Sequence, residues 1–198
     1  MNKLMGFFEL KRIELPTIPW DEYKPGKELS NDLLWTIRSA VCKGDDFNLP
    51  RLVGKKSDEA KKFANELYKK INKNGMVIYY PFFVAHKSGT LKISYDKIIV
   101  EAVKDDLWNL VTNQNIDLSL IYDINYDISL SFGEEFLSKS ELNQLLHYSK
   151  KIRRLYRNDL LEKSILLEWS FASSCNIDKK PIGVPYLVFY EIRTIWNI

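Results

Sequence analysis

The chain has 198 residues, 45% of them hydrophobic, which suffices for one sizeable domain or two small subdomains with a real core. Its 29 basic and 26 acidic side chains leave a net charge of only +3, which excludes the broad cationic field that drives strong nucleic-acid binding. Cys42 and Cys175 are the only cysteines and His86 and His147 the only histidines, with no CxxC spacing, which argues against a structural zinc site.

The first residues, "MNKLMGFFELKRIELP", lack an apolar core of signal-peptide length and a small-residue cleavage site. No run approaches the ~20 apolar residues of a membrane span. The expectation is a soluble, cytoplasmic protein with reduced thiols and no membrane partner. Residues 7–30 carry Pro16, Pro19 and Pro25 together with Trp20 and Tyr23, which predicts an extended arm, spanning 1–32, laid over a surface. Phe7, Phe8, Trp20 and Tyr23 suit either docking to a partner or a place in the core.

"LLWTIRSAV", Leu33 to Val41, reads as a strand, and "CKGDDFNLPRLVGKK" after it as a long loop, leaving Arg38 where strand meets loop. Residues 57–73 read as a helix. Asp58 and Glu59 occupy its first turn, Ala60, Phe63, Ala64, Leu67 and Ile71 recur at helical spacing, and Gly75 closes it. "GMVIYYPFFVAHKSGTLKISYDKIIVEAV" offers three strand-like runs, Met76–Val84, Thr90–Ser94 and Lys97–Val103, with turn signals at "HKSG" and "YD", and so predicts an antiparallel meander. "LSLIYDINYDISLSF" extends the β content.

A second helix, 139–157, opens on a capping box of Ser138 and Glu141, and Leu142, Leu145, Leu146, Ile152 and Leu155 mark one face. Lys150, Lys151, Arg153, Arg154 and Arg157 crowd its last turns. They read first as a solvated face that suits the negative helix end, and second, with Tyr156, as a nucleic-acid surface. "SILLEWSFA" and "PYLVFYEIRTI" form a hairpin through "SSCNIDKKPIGV". Strict two-residue alternation puts Glu191 and Arg193 on the face of Leu187 and Phe189, and ordinary register brings Glu168 to them.

Burying such charges unpaired costs several kcal/mol, so they need a partner. One candidate is internal, a bridge from Arg193 to a carboxylate. The other is a ligand: two carboxylates hold a divalent cation through oxygen while a guanidinium grips a phosphate, with Arg38 as a second phosphate contact.

Five segments, in order, resemble the nucleotide-binding ATP-grasp domain at the N-terminus of phosphoenolpyruvate synthase and pyruvate phosphate dikinase. "LWTIRSAV" resembles "VAVRSSA", "MVIYYPFFVAHKSGTL" resembles "VVVQxMVxxxxSGVxFT", and "IIVEAVKDDLWNLVT" resembles "VIEAVWGLGEALVSG". "LSKSELNQLLHYSKKIRRLY" is similar to "LSDEEVLELARLALRIEEHY", and "LLEWSFA…YLVFYEIRTI" to "DIEWAID…LYLLQARPVT". Over residues 33–195 the resemblance implies an α+β, ATP-grasp-like domain with a mixed, mainly antiparallel sheet and two principal helices, divisible into subdomains 33–75 and 76–198. It implies ATP with Mg2+ as cofactors, catalytic Arg38 and Arg193, and nucleotide-binding Arg38, Glu101, Glu168, Glu191 and Arg193. Glu168 and Glu191 become the metal ligands, although Glu191 stands where the family has Gln. If active, the chain is phosphotransferase-like.

The departures from the family point elsewhere. Its "GGKGANL" segment, whose lysine holds ATP phosphates, has no counterpart before Arg38. Its "GLGE" becomes Asp105, Asp106, Leu107 and Trp108, and its adenine-side "QxM" becomes Tyr80, Pro81 and Phe82. No segment of these 198 residues is similar to its phosphohistidine domain or its barrel. The alternative expectation is therefore a non-catalytic regulatory or partner-binding module whose site a second polypeptide completes.

Overall fold

The computed structural model describes residues 1, 3–42, 49–107 and 116–197. It opens with helix α1 (Lys3–Arg12) and a two-residue strand β1 (Asp21–Glu22), followed by β2 (Trp35–Val41), β3 (Arg51–Lys55) and helix α2 (Ser57–Ile71). Then come β4 (Gly75–Pro81), β5 (Phe83–Ile93), β6 (Ile98–Lys104), β7 (Leu118–Tyr122), β8 (Ile128–Gly133), helix α3 (Lys139–Leu155), β9 (Lys163–Cys175) and β10 (Pro181–Trp196). The strands make two sheets, a small one in the order β1-β4-β2-β3 and a six-stranded one in the order β10-β9-β5-β6-β7-β8. Ladder pairings are antiparallel; an isolated parallel bridge joins Thr17 to Phe189. The α+β class expected from the sequence is therefore the one observed. Among the described residues no helix is long and apolar enough to cross a membrane.

Both principal helices form for the reasons their patterns give. α2 buries Ala60, Ala64 and Leu67 against Trp35, Ile37 and Val77 of the small sheet, with acidic residues in its first turn and Lys69 and Lys70 in its last. α3 starts at the expected capping box: the Ser138 hydroxyl accepts from the Glu141 amide at 3.2 Å while the Glu141 carboxylate accepts from the Ser138 amide at 2.6 Å. Leu145 and Ile152 then press into the core of the large sheet.

Three expectations are corrected. Residues 3–12 are helical, and the segment after them is extended but not superficial. Leu10, Ile13 and Leu15 enter the core of the large sheet, Tyr23 and Leu29 that of the small one, and Phe7, Ile18 and Trp20 a third cluster between the sheets. Of the four aromatics considered for docking, only Phe8 is exposed. The prolines stop the chain from repeating a helix, but the apolar residues between them still have to be buried. Second, the stretch read as one long loop after β2 contains β3, paired antiparallel to β2.

Third, "HKSG" is not a turn but the interior of β5, with a register shift between Ala85 and Lys87. Gly89 is there for space. A Cβ at that position would lie 2.0 Å from the Glu101 carbonyl oxygen and 2.4 Å from the Trp169 ring, which is fully buried across the ladder. A second close approach is made by Gly6, whose Cβ would meet the Ile192 carbonyl oxygen at 2.5 Å, so α1 lies directly on β10.

Overpacking at such positions is costly. Gly89→Val is expected to lose about 3 kcal/mol in urea unfolding, against about 1 kcal/mol for Gly26→Ala, where nothing lies within 4 Å and only the positive φ of 91° is strained. The capping box gives a pH dependence. Burial pushes the Glu141 carboxyl up, but the Lys87 ammonium at 2.7 Å and the Ser138 amide and hydroxyl outweigh it and hold the group below its ordinary value. A depressed carboxyl stabilises the fold above its unfolded-state pKa and loses that contribution as pH falls through the folded value. The stability gap between the parent chain and Glu141→Gln, about 1 kcal/mol at neutral pH, should therefore close on acidification; a gap that stays constant would show that the carboxylate's charge plays no part.

Candidate functional site

The two sheets meet where β2 and β4 face β9 and β10, over a cluster that includes Ala40, Ile78, Tyr80, Ala172 and Val188. The site forms on this side of the large sheet. Ladder register lays a row of polar residues across four strands: Glu191 on β10 stands opposite Glu168 on β9, Glu168 opposite Thr90 on β5, and Thr90 opposite Glu101 on β6. The Thr90 hydroxyl donates to Glu101 Oε2 at 3.0 Å.

A bulge makes this row possible. Phe189 pairs with Trp169 and Glu191 with Glu168, so Tyr190 is an extra residue without a partner on β9. Strict alternation would have put Glu191 and Arg193 beside Leu187 and Phe189, in the apolar core under α3. Instead the core face receives Leu187, Phe189 and Ile192, while Val188 and Tyr190 pack in the cluster between the sheets. The extra residue turns the charged pair toward Arg38. This corrects the face expected for Glu191 and Arg193, while leaving intact their side-by-side placement with Glu168.

Arg38 comes from the other sheet. Its Nη2 lies 3.4 Å from Glu191 Oε2, and both side chains are almost fully enclosed. The guanidinium of Arg193 donates through Nε and Nη2 to Glu191 Oε1. One buried carboxylate thus holds two guanidiniums, one from each sheet, and the internal bridge from Arg193 considered from sequence is present. Arg38 remains charged despite its position: burial works against the cation, but the Tyr80 hydroxyl, which it bonds, and the carboxylates of Glu191 and Glu168 raise its pKa above the ordinary value.

Two tyrosines that the sequence did not single out as site residues complete the wall. Burial raises the pKa of Tyr80, partly offset by Arg38 and by Arg51 of β3. Tyr190 lies well above its ordinary range, first through burial and then through the nearby charges of Glu168 and Asp106. Both hydroxyls therefore stay protonated, and that of Tyr80 accepts from the Arg38 guanidinium. Tyr190 also bonds Ser170, which meets Ser88 at 2.8 Å, and Ser88 donates to the Asp105 carbonyl at 2.6 Å. Through Tyr80, Phe83 and Tyr190, stacked and tilted rings link the small sheet to the bulge.

All five residues expected at the site from sequence lie on this side: Arg38, Glu168, Glu191 and Arg193 at the junction, and Glu101 two strands away in the same row. Asp106 lies close enough for its charge to be felt at Tyr190, while Trp108 lies outside the described residues. Arg51 was missed because its segment read as a loop, and Tyr190 because only the bulge gives it its place. Among the described residues no three His, Cys, Asp or Glu side chains converge as a metal cage.

No family model matches this sequence, and no curated protein matches it. The structure, however, is similar to that of N5-carboxyaminoimidazole ribonucleotide synthetase in its ADP complex, with a TM-score of 0.55 and 10% identity over 96% of this chain and 45% of that one. The L-amino acid ligase from Bacillus licheniformis also aligns, at a TM-score of 0.47 and 10% identity over 96% of this chain and 39% of that one. D-alanine–D-alanine ligase from Bacillus anthracis aligns at 0.45 and 11% over 96% and 55%. The chain thus spans about 45% of the length of the synthetase.

The geometry gives a direct test. Replacing Glu191 by Gln leaves two enclosed guanidiniums without their shared counter-charge, and breaking a buried pair in this way costs about 3 kcal/mol. Glu191→Gln should unfold at correspondingly lower urea, and the triple replacement Arg38→Met, Glu191→Leu and Arg193→Met, which removes all three charges, should recover much of the loss. At the level the synthetase likeness carries, the chain has the ATP-grasp fold.

Proposed function

We propose that this chain is a nucleotide-binding module that takes ATP with Mg2+ in the cleft between its two sheets. The observation that carries the reading is the convergence of Arg38 and Arg193, from different sheets, on one carboxylate beside a second, Glu168. Two guanidiniums with fixed orientation suit the oxygens of a polyphosphate. Glu168 and Glu191 are adjacent oxygen donors, and Mg2+ commonly takes one or two protein carboxylates together with phosphate oxygens and water, so the lack of a three-residue cage fits this cation. In that role the metal neutralises phosphate charge.

Glu191 has two functions in this reading. Without nucleotide it holds both guanidiniums; with nucleotide bound, the arginines would turn to the phosphates, and Glu191 and Glu168 are the residues that would hold the metal. Glu101, in line with Glu168 and bonded to Thr90, faces the open part of the cleft floor and is proposed to contact the sugar or base side of the nucleotide. The ADP bound to the aligned synthetase supports the choice of ligand. The proposed closer relation to the phosphoenolpyruvate synthase domain rests on the five ordered motifs alone.

Titration calorimetry with Mg-ATP tests the proposal. Binding is expected in the parent chain, with affinity lowered at least tenfold in Arg193→Ala and with its Mg2+ dependence lost in Glu168→Gln, while circular dichroism shows both variants folded. No heat at millimolar Mg-ATP removes the reading.

A second reading, that the module binds nucleotide without turning it over, is favoured by one observation: the glycine- and lysine-bearing phosphate segment has no counterpart. It expects no ADP above the protein-free background after incubation with Mg-ATP. ADP release that disappears in Arg193→Ala would overturn it and favour catalysis.

A further inference from the structure

Away from the cleft, on the opposite side of the large sheet, the end of α3 meets two hairpin turns. Tyr95 from the β5–β6 turn, Ile124 from the β7–β8 turn, Leu160 and three arginines, Arg153, Arg154 and Arg157, line a recess of about 270 Å³. None of these residues belongs to the candidate nucleotide site.

The arginines are not explained by the fold. Among the described residues no carboxylate pairs with any of the three. Arg153 gives Nη2 to the Tyr95 carbonyl at 2.6 Å, but its Nη1 is enclosed and has no hydrogen-bond partner. An enclosed donor without an acceptor costs on the order of 1–3 kcal/mol, and adjacent like charges at helical spacing add to the cost. Favourable placement at a helix C-terminus, where the dipole supplies about half a negative charge, offsets only part of three positive ones. Tyr126, within 5.7 Å of the Arg153 guanidinium, holds that side chain over the β7–β8 turn and does not neutralise it. Tyr156, proposed from sequence as a nucleic-acid-stacking neighbour, is buried and bonds Glu9, so that ring is not presented to bases.

We propose that this recess binds a phosphate-bearing small molecule. A dianion matches the uncompensated charge better than a carboxylate does, and guanidinium forks suit a tetrahedral oxyanion. At ~30 Å³ per water, the recess has room for a compact organic body beside the phosphate, against Tyr95, Ile124 and Leu160. The shared chemistry is a phosphomonoester or an inorganic phosphate, and the two are separated by the probes.

The full chain is titrated calorimetrically with phenyl phosphate, inorganic phosphate and pyrophosphate. The test variant is Arg154→Gln with Arg157→Gln, both exposed, so the Arg153–Tyr95 contact and the fold are kept. Phenyl phosphate is expected to bind the parent chain and to lose at least tenfold in affinity in the variant, with inorganic phosphate weaker if the ligand has an organic body and pyrophosphate equal or tighter if it has none. Mg-ATP affinity, measured in parallel, is expected to be unchanged by the variant, which separates this site from the cleft. Equal affinity of phenyl phosphate for parent and variant, or no binding of any probe to the parent, overturns the proposal. So does a single-stranded RNA oligonucleotide that binds through the same arginines while phenyl phosphate does not.

Discussion

The Glu191 carboxylate, holding Arg38 of one sheet and Arg193 of the other, is the interaction on which the architecture turns. A buried ion pair is seldom an efficient way to gain stability, because desolvating the charges consumes most of the attraction between them. What it provides here is position. Apolar residues between the sheets can slide against one another at small cost, whereas two guanidiniums on one carboxylate admit only one arrangement. The sheet junction is thereby fixed at the place where polyphosphate chemistry is proposed.

The N-terminal segment supports that junction from behind. It contributes side chains to all three apolar clusters and presses α1 onto β10 at Gly6 and Ile192, between Glu191 and Arg193 in sequence. Trp20 is edged by Phe7 and Phe8 and covered by the Lys11 ammonium at 3.8 Å from its ring. The segment is therefore a structural part of both sheets, and the strand that carries the arginine and the carboxylate is held from its outer side.

The face of the large sheet on the cleft side changes character along the row. Near β10 it is charged and enclosed; towards β8 it becomes apolar and open, and Phe132, opposite Ser119, is 67% exposed. The ATP-grasp fold thus offers an electrostatically dense end and a permissive end within a single cleft, which is an arrangement suited to holding a phosphate chain at one end and a less polar group at the other.

Much of this was present in the sequence. Helical spacing and the Ser138–Glu141 box determined α2 and α3, because these depend on neighbours three and four residues away. The runs of β-branched residues mark β2, β6 and the final hairpin, and the ordered motifs point to the fold and single out Arg38, Glu168, Glu191 and Arg193. What the sequence could not determine are the features that depend on partners distant along the chain. Whether "HKSG" turns or continues depends on Trp169 filling the space above Gly89, and whether residues 13–30 cover or enter a core depends on the sheets they meet. The face of Glu191 and Arg193 depends on a single unpaired residue, Tyr190. Alternation is a local rule, and a bulge breaks it for a reason found only across the sheet: it moves two charges out of an apolar core and toward the arginine that makes their burial tolerable.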